Sequence, residues 1–406
     1  DEILPDAVAV IDAKRTDSTY PYEHLSGCGV GFKLVQALAQ NNKIDFSELT
    51  DLLDLVAVSV ASDIVPITGE NRVLTYFGLK QINSNPSLGL KGIIEICGLT
   101  YKGITVNDII FKIGPRINAS GRMMKGKEAV DLLLANTIED AREKSANIDH
   151  YNDDRRELDK RITDEAIQFI DGTVDMSKKK SLVIYDETWH KGVIGIVASR
   201  LTEKYLRPAV VLTKSQGLIT GSARSVMGFD VYKAIEACKD ILENFGGHMY
   251  AAGLSLKEEN LAEFQRRFEA LSLEMIAPEM MRPQICIDAE LSFKEITPKF
   301  ISDLAGFAPF GPENLNPIFV TWDVQDYGTS KPVGKDNVHL KLEMTDKTTT
   351  IPVNGIAFRQ SSNSEIVKSG RPFDICYTLE ENTHNGKTNI QLYVKDIDTG
   401  QLSDSH

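Results

Sequence analysis

Residues 241–256 read ILENFGGHMYAAGLSL, with two glycines, a histidine and then Ala-Ala-Gly directly behind an apolar helical run. Gly246 and Gly247 can adopt positive φ and let a partner's backbone come close, and His248 can donate a hydrogen bond to an anion. The stretch reads either as a tight turn carrying a structural histidine or as backbone and imidazole left open for a ligand. Its flanks set the local fold. SLVIYD, AVVLT and LITGSARS are strand-like, while GVIGIVASRLTEKY, DVYKAIEACKDIL and LAEFQRRFEAL have helical spacing. Together they predict a compact α/β domain over residues 179–277.

Before this domain, residues 136–178 are highly charged, with Leu158, Ile162, Ala166 and Phe169 recurring at spacings of three and four. That pattern predicts a long amphipathic connecting helix with one packed stripe, and His150 inside it reads as solvated. Residues 1–135 alternate strand-like runs (AVAVIDA, DLVAVSVASDIV) with helical ones (GVGFKLVQALAQ, GKEAVDLLLAN), which predicts α/β layering around a parallel sheet. The opening run LPDAVAVIDA reads as a buried strand with nothing before it to pair with, so the chain is expected to begin inside a domain. Over residues 278–406 the pattern changes to alternating strands such as VHLKLEM and NIQLYVKDI, with a hairpin turn expected at Asn385-Gly386. A small β-barrel is the expectation, with FGPENLNPIF as an ordered loop.

At 406 residues the chain is too long for one core, and 42% hydrophobic with 25% charged residues is an ordinary globular balance. No apolar run approaches the roughly 20 residues of a membrane span, and no signal-peptide pattern is present, so no membrane role and a cytoplasmic location are expected. Cys28, Cys97, Cys238, Cys286 and Cys376 are scattered and never paired as Cys-x-x-Cys, which predicts buried reduced thiols. A formal charge of −13 disfavours a nucleic-acid partner at first sight, but a local basic groove remains compatible with it.

Three stretches could carry chemistry. Asp63 ends the apolar run of VASDIVPITGENR, where a carboxylate either caps the following turn or binds a cation at the edge of a sheet. GPRINASGRM gathers Arg116, Asn118, Ser120 and Arg122 around two small residues just before a helix, a pattern that suits phosphate or, alternatively, arginines paired with acidic neighbours. GSARS repeats the theme with Ser222 and Arg224. Two such clusters facing one cleft would grip a phosphodiester chain.

The ordered series LPDAVAVIDAKR, HLSGCGVGFKL, VASDIVPITGENR, RINASGRM, HKGVIGIVASRL, GSARS and FGGHMYAAGLSL, followed by a β-rich domain, resembles the RecJ-type single-strand-specific exonucleases of the DHH phosphoesterase superfamily over essentially the whole chain. The resemblance implies a partial DHH-type parallel-sheet domain, the connecting helix, a DHH-associated α/β domain and a C-terminal OB-fold. It implies 5′→3′ hydrolysis of single-stranded DNA with a 5′ phosphate, using Mn²⁺ or Mg²⁺, in DNA repair and recombination. It places a metal ligand at Asp63 and the nucleic-acid contact near the scissile phosphate at Gly246, Gly247 and His248, with His248 catalytic. The 5′-phosphate grip falls on Ser222 and Arg224, and the arginine-rich turn of the first domain on Arg116, Asn118, Gly121 and Arg122. Tyr377, Tyr393, Lys341 and Lys395 are the OB-fold residues expected to contribute to binding. Single-strand-binding proteins and helicases are the protein partners it suggests.

One departure matters. No Asp-His-Asp or Asp-His-His occurs, and the seven histidines stand singly. The metal site is therefore expected to be incomplete and the chain inactive alone. The alternative is a non-catalytic single-strand-binding relative.

Overall fold

The computed structural model describes residues 4–99, 103–384 and 387–400. Its contacts gather into two units, one of residues 81–284 and one of residues 1–80 with 285–406.

The first eighty residues of the second of these units are helical. Ser26 caps α1 (Gly27–Asn41) by accepting from the Gly29 amide. Then come α2 (Leu53–Ser62), buried along most of its length, and α3 (Gly69–Ser84). A Cβ on Gly78 would stand 2.2 Å from the Leu53 carbonyl oxygen, so α2 and α3 approach as closely as only glycine allows.

The two runs expected as strands here are corrected. Residues 4–13 are irregular, with Val8 fully exposed, and an apolar run without a ladder neighbour cannot satisfy its backbone as a strand. DLVAVSVASDIV folds mostly as α2. A helix buried on every side is apolar all round, so it loses the 3.6 period that distinguishes it from a buried strand. No strand among the described residues precedes Leu182.

Residues 81–284 begin with α4 (Leu88–Ile96), α5 (Val106–Asp108), a π-helical turn at Ile109–Ile113, α6 (Gly114–Met123) and α7 (Lys127–Leu133). The expected connector is α8 (Ile138–Thr173), a 36-residue helix whose packed stripe runs through Ala141, Ser145, Ile148, Ile162, Ala166 and Ile170. After it, β1 (Leu182–Tyr185), α9 (Ile194–Tyr205), β2 (Ala209–Ser215), β3 (Leu218–Arg224), α10 (Val231–Glu236), β4 (Asn244–His248), β5 (Ala251–Leu256) and α11 (Leu261–Met275) form the expected α/β domain. Its sheet has the order β1-β2-β3-β5-β4, with only β1–β2 parallel.

The two faces of this sheet are filled differently. One is sealed by α10 and α11 through Val210, Leu212, Ala223, Leu254, Phe264 and Phe268. On the other, α8 and α9 cover Leu182, Ile184, Ala209 and Val211, at the β1–β2 end.

The rest of the chain is the barrel, with β6 (Ala289–Glu290), α12 (Pro298–Ala305), β7 (Phe319–Asp326), β8 (Lys331–Val333), β9 (His339–Asp346), β10 (Thr349–Ala357), α13 (Ser364–Val367), β11 (Phe373–His384) and β12 (Lys387–Asp398). The order β7-β11-β12-β10-β9 closes through a β7–β9 pairing, giving a five-stranded barrel filled by Phe319, Leu340, Leu342, Met344, Tyr377 and Val394. The expected turn at Asn385-Gly386 lies outside the described residues. FGPENLNPIF is an ordered loop in the same unit. The Ile67 amide donates to the Pro312 carbonyl at 2.8 Å, and the Arg72 guanidinium donates to the carbonyls of Gly306, Phe307 and Ala308.

All five cysteines are free, as expected, but only Cys238 and Cys376 are buried; Cys28 and Cys286 are exposed. Among the described residues no helix is long and apolar enough to cross a membrane.

Candidate nucleic-acid interface

The β3–β5–β4 register builds a site on the sheet face that α9 leaves open. Antiparallel partners share a face, so three rows stand side by side: Thr220–Ser255–Asn244, Ser222–Gly253–Gly246 and Arg224–Ala251–His248. The middle row is nearly bare. A Cβ on Gly246 would meet nothing within 4 Å, and one on Gly253 would meet only the Gly221 oxygen at 3.9 Å. A trough of about 450 Å³ lies on this face, with Lys191, Thr220, Asn244, Gly246, Gly253 and Ser255 in its lining.

The Gly-Gly-His segment is therefore an edge strand, which corrects its reading as a turn; the turn is Met249-Tyr250. Its two glycines do different work. Gly247 has φ +147°, and a Cβ there would lie 2.3 Å from the Ala251 oxygen and 2.5 Å from the Ala252 Cα, so it permits the hairpin itself. Gly246 keeps the trough floor open. The Tyr250 amide donates to His248 Nδ1 at 3.3 Å, which leaves Nε2 of this exposed imidazole as the N–H donor of the neutral ring.

Arg224 is held from behind. Its Nη1 donates to Ser222 Oγ at 3.0 Å and to the Ala223 carbonyl at 2.8 Å. Burial, and then the charge of Arg122, pull its guanidinium below the ordinary arginine value. A half-buried cation facing a second cation rather than a carboxylate is costly unless an anion completes the site. Arg122, from the last turn of α6, donates to the Gly192 carbonyl at 3.1 Å, just before α9, whose N-terminus has no side-chain cap.

Two glycines that motif reading did not single out make this convergence possible. A Cβ on Gly192 would stand 2.4 Å from the Arg122 oxygen, and one on Gly195 would stand 2.9 Å from Ser222 Oγ and 3.0 Å from Arg224 Nη2. The signal was present as the spacing of HKGVIG. Arg122, Ser222 and Arg224 thus gather at the beginning of α9, where helix dipole and free amides favour phosphate.

The first-domain cluster does not stay together. GPRINASGRM is the helix α6 itself, not a turn before one: Pro115 suits the first helical turn, and the small residues include the buried Ala119 and Ser120. Arg116 Nε pairs with Asp149 at 2.7 Å, and its Nη1 donates to the Lys112 carbonyl, so this arginine takes the ion-pair alternative. Asn118 and Gly121 are exposed on α6.

Asp63 is exposed at the carboxyl end of α2, followed by Ile64 with φ +56°; it ends a helix rather than a strand. Among the described residues no group of three or more His, Cys, Asp and Glu side chains could hold a metal ion. A single carboxylate does not fit a pair of divalent ions.

On the barrel, Tyr377 is corrected. It is fully buried with its hydroxyl 2.9 Å from Thr321 Oγ1, because β11 turns this residue into the core. Tyr393 lies on the surface with Phe358 stacked 5.0 Å away, His339 4.8 Å beyond Phe358, and Lys395 Nζ 4.0 Å from the Tyr393 ring centroid. Lys341 shares the row of Tyr393 through Ile356 and pairs with Glu343 at 3.3 Å.

These features define a two-module class, and family comparisons name both modules. Residues 178–272 match the DHHA1 domain, and residues 287–396 match the RecJ OB domain. The chain is 32% identical over 397 residues to the single-stranded-DNA-specific exonuclease RecJ of Bacillus subtilis, covering 97% of this chain and 49% of that protein. It is 31% identical to the Haemophilus influenzae protein of the same name, covering 98% of this chain and 72% of the relative. The crystal structure of RecJ in complex with Mg²⁺ from Thermus thermophilus superposes with a TM-score of 0.80 at 26% identity, covering 94% of this chain and 57% of that one; its Mn²⁺ complex gives 0.79, with 93% and 53% covered. The chain belongs to the RecJ family of single-stranded-DNA-specific exonucleases, and it spans about half the length of the Bacillus and Thermus relatives.

Proposed function

We propose that the chain is the strand-holding part of a 5′→3′ single-stranded-DNA exonuclease of cytoplasmic DNA repair and recombination. By itself it binds single strands with a 5′ phosphate and does not cut them. The observation that carries this is the row in which Arg224 and His248 flank Ala251, beside the bare Gly253–Gly246 row. A polyanionic backbone can lie on main chain there, between a guanidinium and an imidazole.

In this reading Ser222 and Arg224 take the terminal phosphate, with Arg122 at the same helix end and Asn118 and Gly121 on the approach along α6. The His248 Nε2–H meets the phosphate next to the bond to be broken. Phe358 and Tyr393 offer a stacking platform for bases, with Lys395 and Lys341 beside it. Mg²⁺ or Mn²⁺ would supply an activated water in the complete reaction, but Asp63 alone is no site for it and no step is assigned to this chain through a metal. The domain limits we propose are 1–135, 136–178, 179–277 and 278–406, with single-strand-binding proteins or helicases as partners.

The lone carboxylate at Asp63 favours one second reading, a non-catalytic single-strand binder. Both readings are tested by mixing the chain with 5′-phosphorylated single strands and Mn²⁺ while measuring binding and digestion in parallel. Binding without digestion is expected. Digestion would overturn the claim that the chain only holds the strand, and absence of binding would overturn both readings.

A further inference from the structure

The packed stripe of α8 is interrupted. Between Ile148 and Ile162 its inward positions carry Asn152, Arg155 and Asp159, spaced i, i+3 and i+7 on one helix face. Asn152 and Asp159 are buried, at 2% and 3% exposure. Polar groups at such positions are ordinarily satisfied in full. Here one is not: Arg155 Nη2 donates to Asn152 Oδ1 at 3.0 Å, but its Nε is buried with no hydrogen-bond partner.

The surrounding charge is one-sided. Asp159 is engaged by Arg200 of α9, Nη2 to Oδ2 at 2.6 Å, and Thr163 Oγ1 donates to its other oxygen. Burial lowers the Arg155 guanidinium from its ordinary value; Asp159 opposes this, and Arg122, Arg156 and Arg200 add to it. Arg155 thus feels three other guanidiniums and one carboxylate, which Arg200 already engages, in a protein of net charge −13. Placing a half-buried cation among three others is unfavourable unless an anion joins them.

We propose that Arg155 and Arg200, set by Asn152 and Asp159, form a second phosphate subsite beside Arg122, for a phosphate of the chain other than the terminal one. It rests on the strand-holding reading, and it differs from the Arg224 grip in being indifferent to the state of the 5′ end. Asp159 orients Arg200 and leaves the group as a whole positively charged. With Nη2 given to Asn152 and Nε buried, Nη1 is the Arg155 group left to donate to a phosphate, beside the Arg200 guanidinium that Asp159 holds.

The test compares the full chain with Arg155→Gln and Arg155→Lys, titrating oligo(dT) with a 5′ phosphate or a 5′ hydroxyl across a salt series, and following thermal unfolding with and without inorganic pyrophosphate. The glutamine variant should flatten the slope of log K against log salt by about 0.7, the share of one single-strand phosphate contact. It should do so equally for both ends, with its melting temperature kept in ligand-free buffer. Pyrophosphate should stabilise the wild-type chain more than this variant, and lysine should restore part of the slope. An unchanged slope overturns the subsite, whether or not the melting temperature falls. A loss confined to phosphorylated ends also overturns it, by assigning Arg155 to the terminal grip. If the wild-type chain binds no oligo(dT) but pyrophosphate stabilises it through Arg155, the strand-holding reading fails and the anion site stands; if neither ligand acts, both fail.

Discussion

Arg224 and His248 project from one row of the five-stranded sheet, each registered against Ala251 of the strand between them. Adjacent strands lie ≈ 4.7–4.9 Å apart, so the two side chains bracket a gap of roughly 10 Å, wide enough for a phosphodiester backbone and floored beyond by glycine.

Replacing Arg224 with Ala should remove a charge-assisted contact to the terminal phosphate, worth about 1.5–3 kcal/mol. Fluorescence anisotropy with matched oligonucleotides should show roughly tenfold or greater loss for phosphorylated ends and little change for hydroxyl ends. Equal losses would mean that Arg224 does not read the end.

The two glycines of β4 should respond oppositely. Gly246→Ala adds a methyl group into open space, so the melting temperature should hold while single-strand affinity falls. Gly247→Ala forces a side chain into the Ala251–Ala252 backbone at positive φ, and should cost about 2–4 kcal/mol of stability by chemical denaturation. Equal destabilisation by both would remove the distinction between trough floor and hairpin support.

The barrel should weaken at alkaline pH. Burial pushes the Tyr377 phenol up to about 12, above the value of about 10 it has when unfolded. A group whose folded pKa is raised stabilises fully below the unfolded value and loses that contribution as pH climbs through the folded one. About 2–3 kcal/mol should therefore disappear between pH 10 and 12. Denaturation of wild-type and Tyr377→Phe chains across that window checks this: the phenylalanine variant lacks this titration, so its stability should fall less steeply.

Phe358→Ala should weaken binding of oligo(dT) by about 1–3 kcal/mol if a base stacks there, irrespective of 5′ phosphorylation. Titration of this exposed-surface variant against both ends is the check, and unchanged affinity would move the platform elsewhere on the barrel.

The α/β domain around the Gly-Gly-His segment was legible because its elements are short and bounded by turn residues, its helices are amphipathic, and β2, buried on both faces, is a short continuous apolar run. The barrel was legible from its alternating strands. What failed was α2, whose burial on all sides erases periodicity, and residues 4–13, whose apolar character promised a sheet that no described neighbour supplies. At the site, residue types pointed to Arg122, Ser222, Arg224 and His248, but strand register alone shows which of them share a face. Arg116 read like Arg122 in sequence; only the position of Asp149 separates them. Arg155 stood in plain view as a polar break in the α8 stripe, and its significance depends on which helices pack there.

The most direct test of the account is the affinity of the full chain for one oligonucleotide, 5′-phosphorylated or not, at fixed salt, for the wild type and His248→Ala. The wild type should prefer the phosphorylated end, and His248→Ala should bind both ends more weakly while melting at the wild-type temperature. Wild-type indifference to the 5′ phosphate, together with a large drop in melting temperature for His248→Ala, would contradict it.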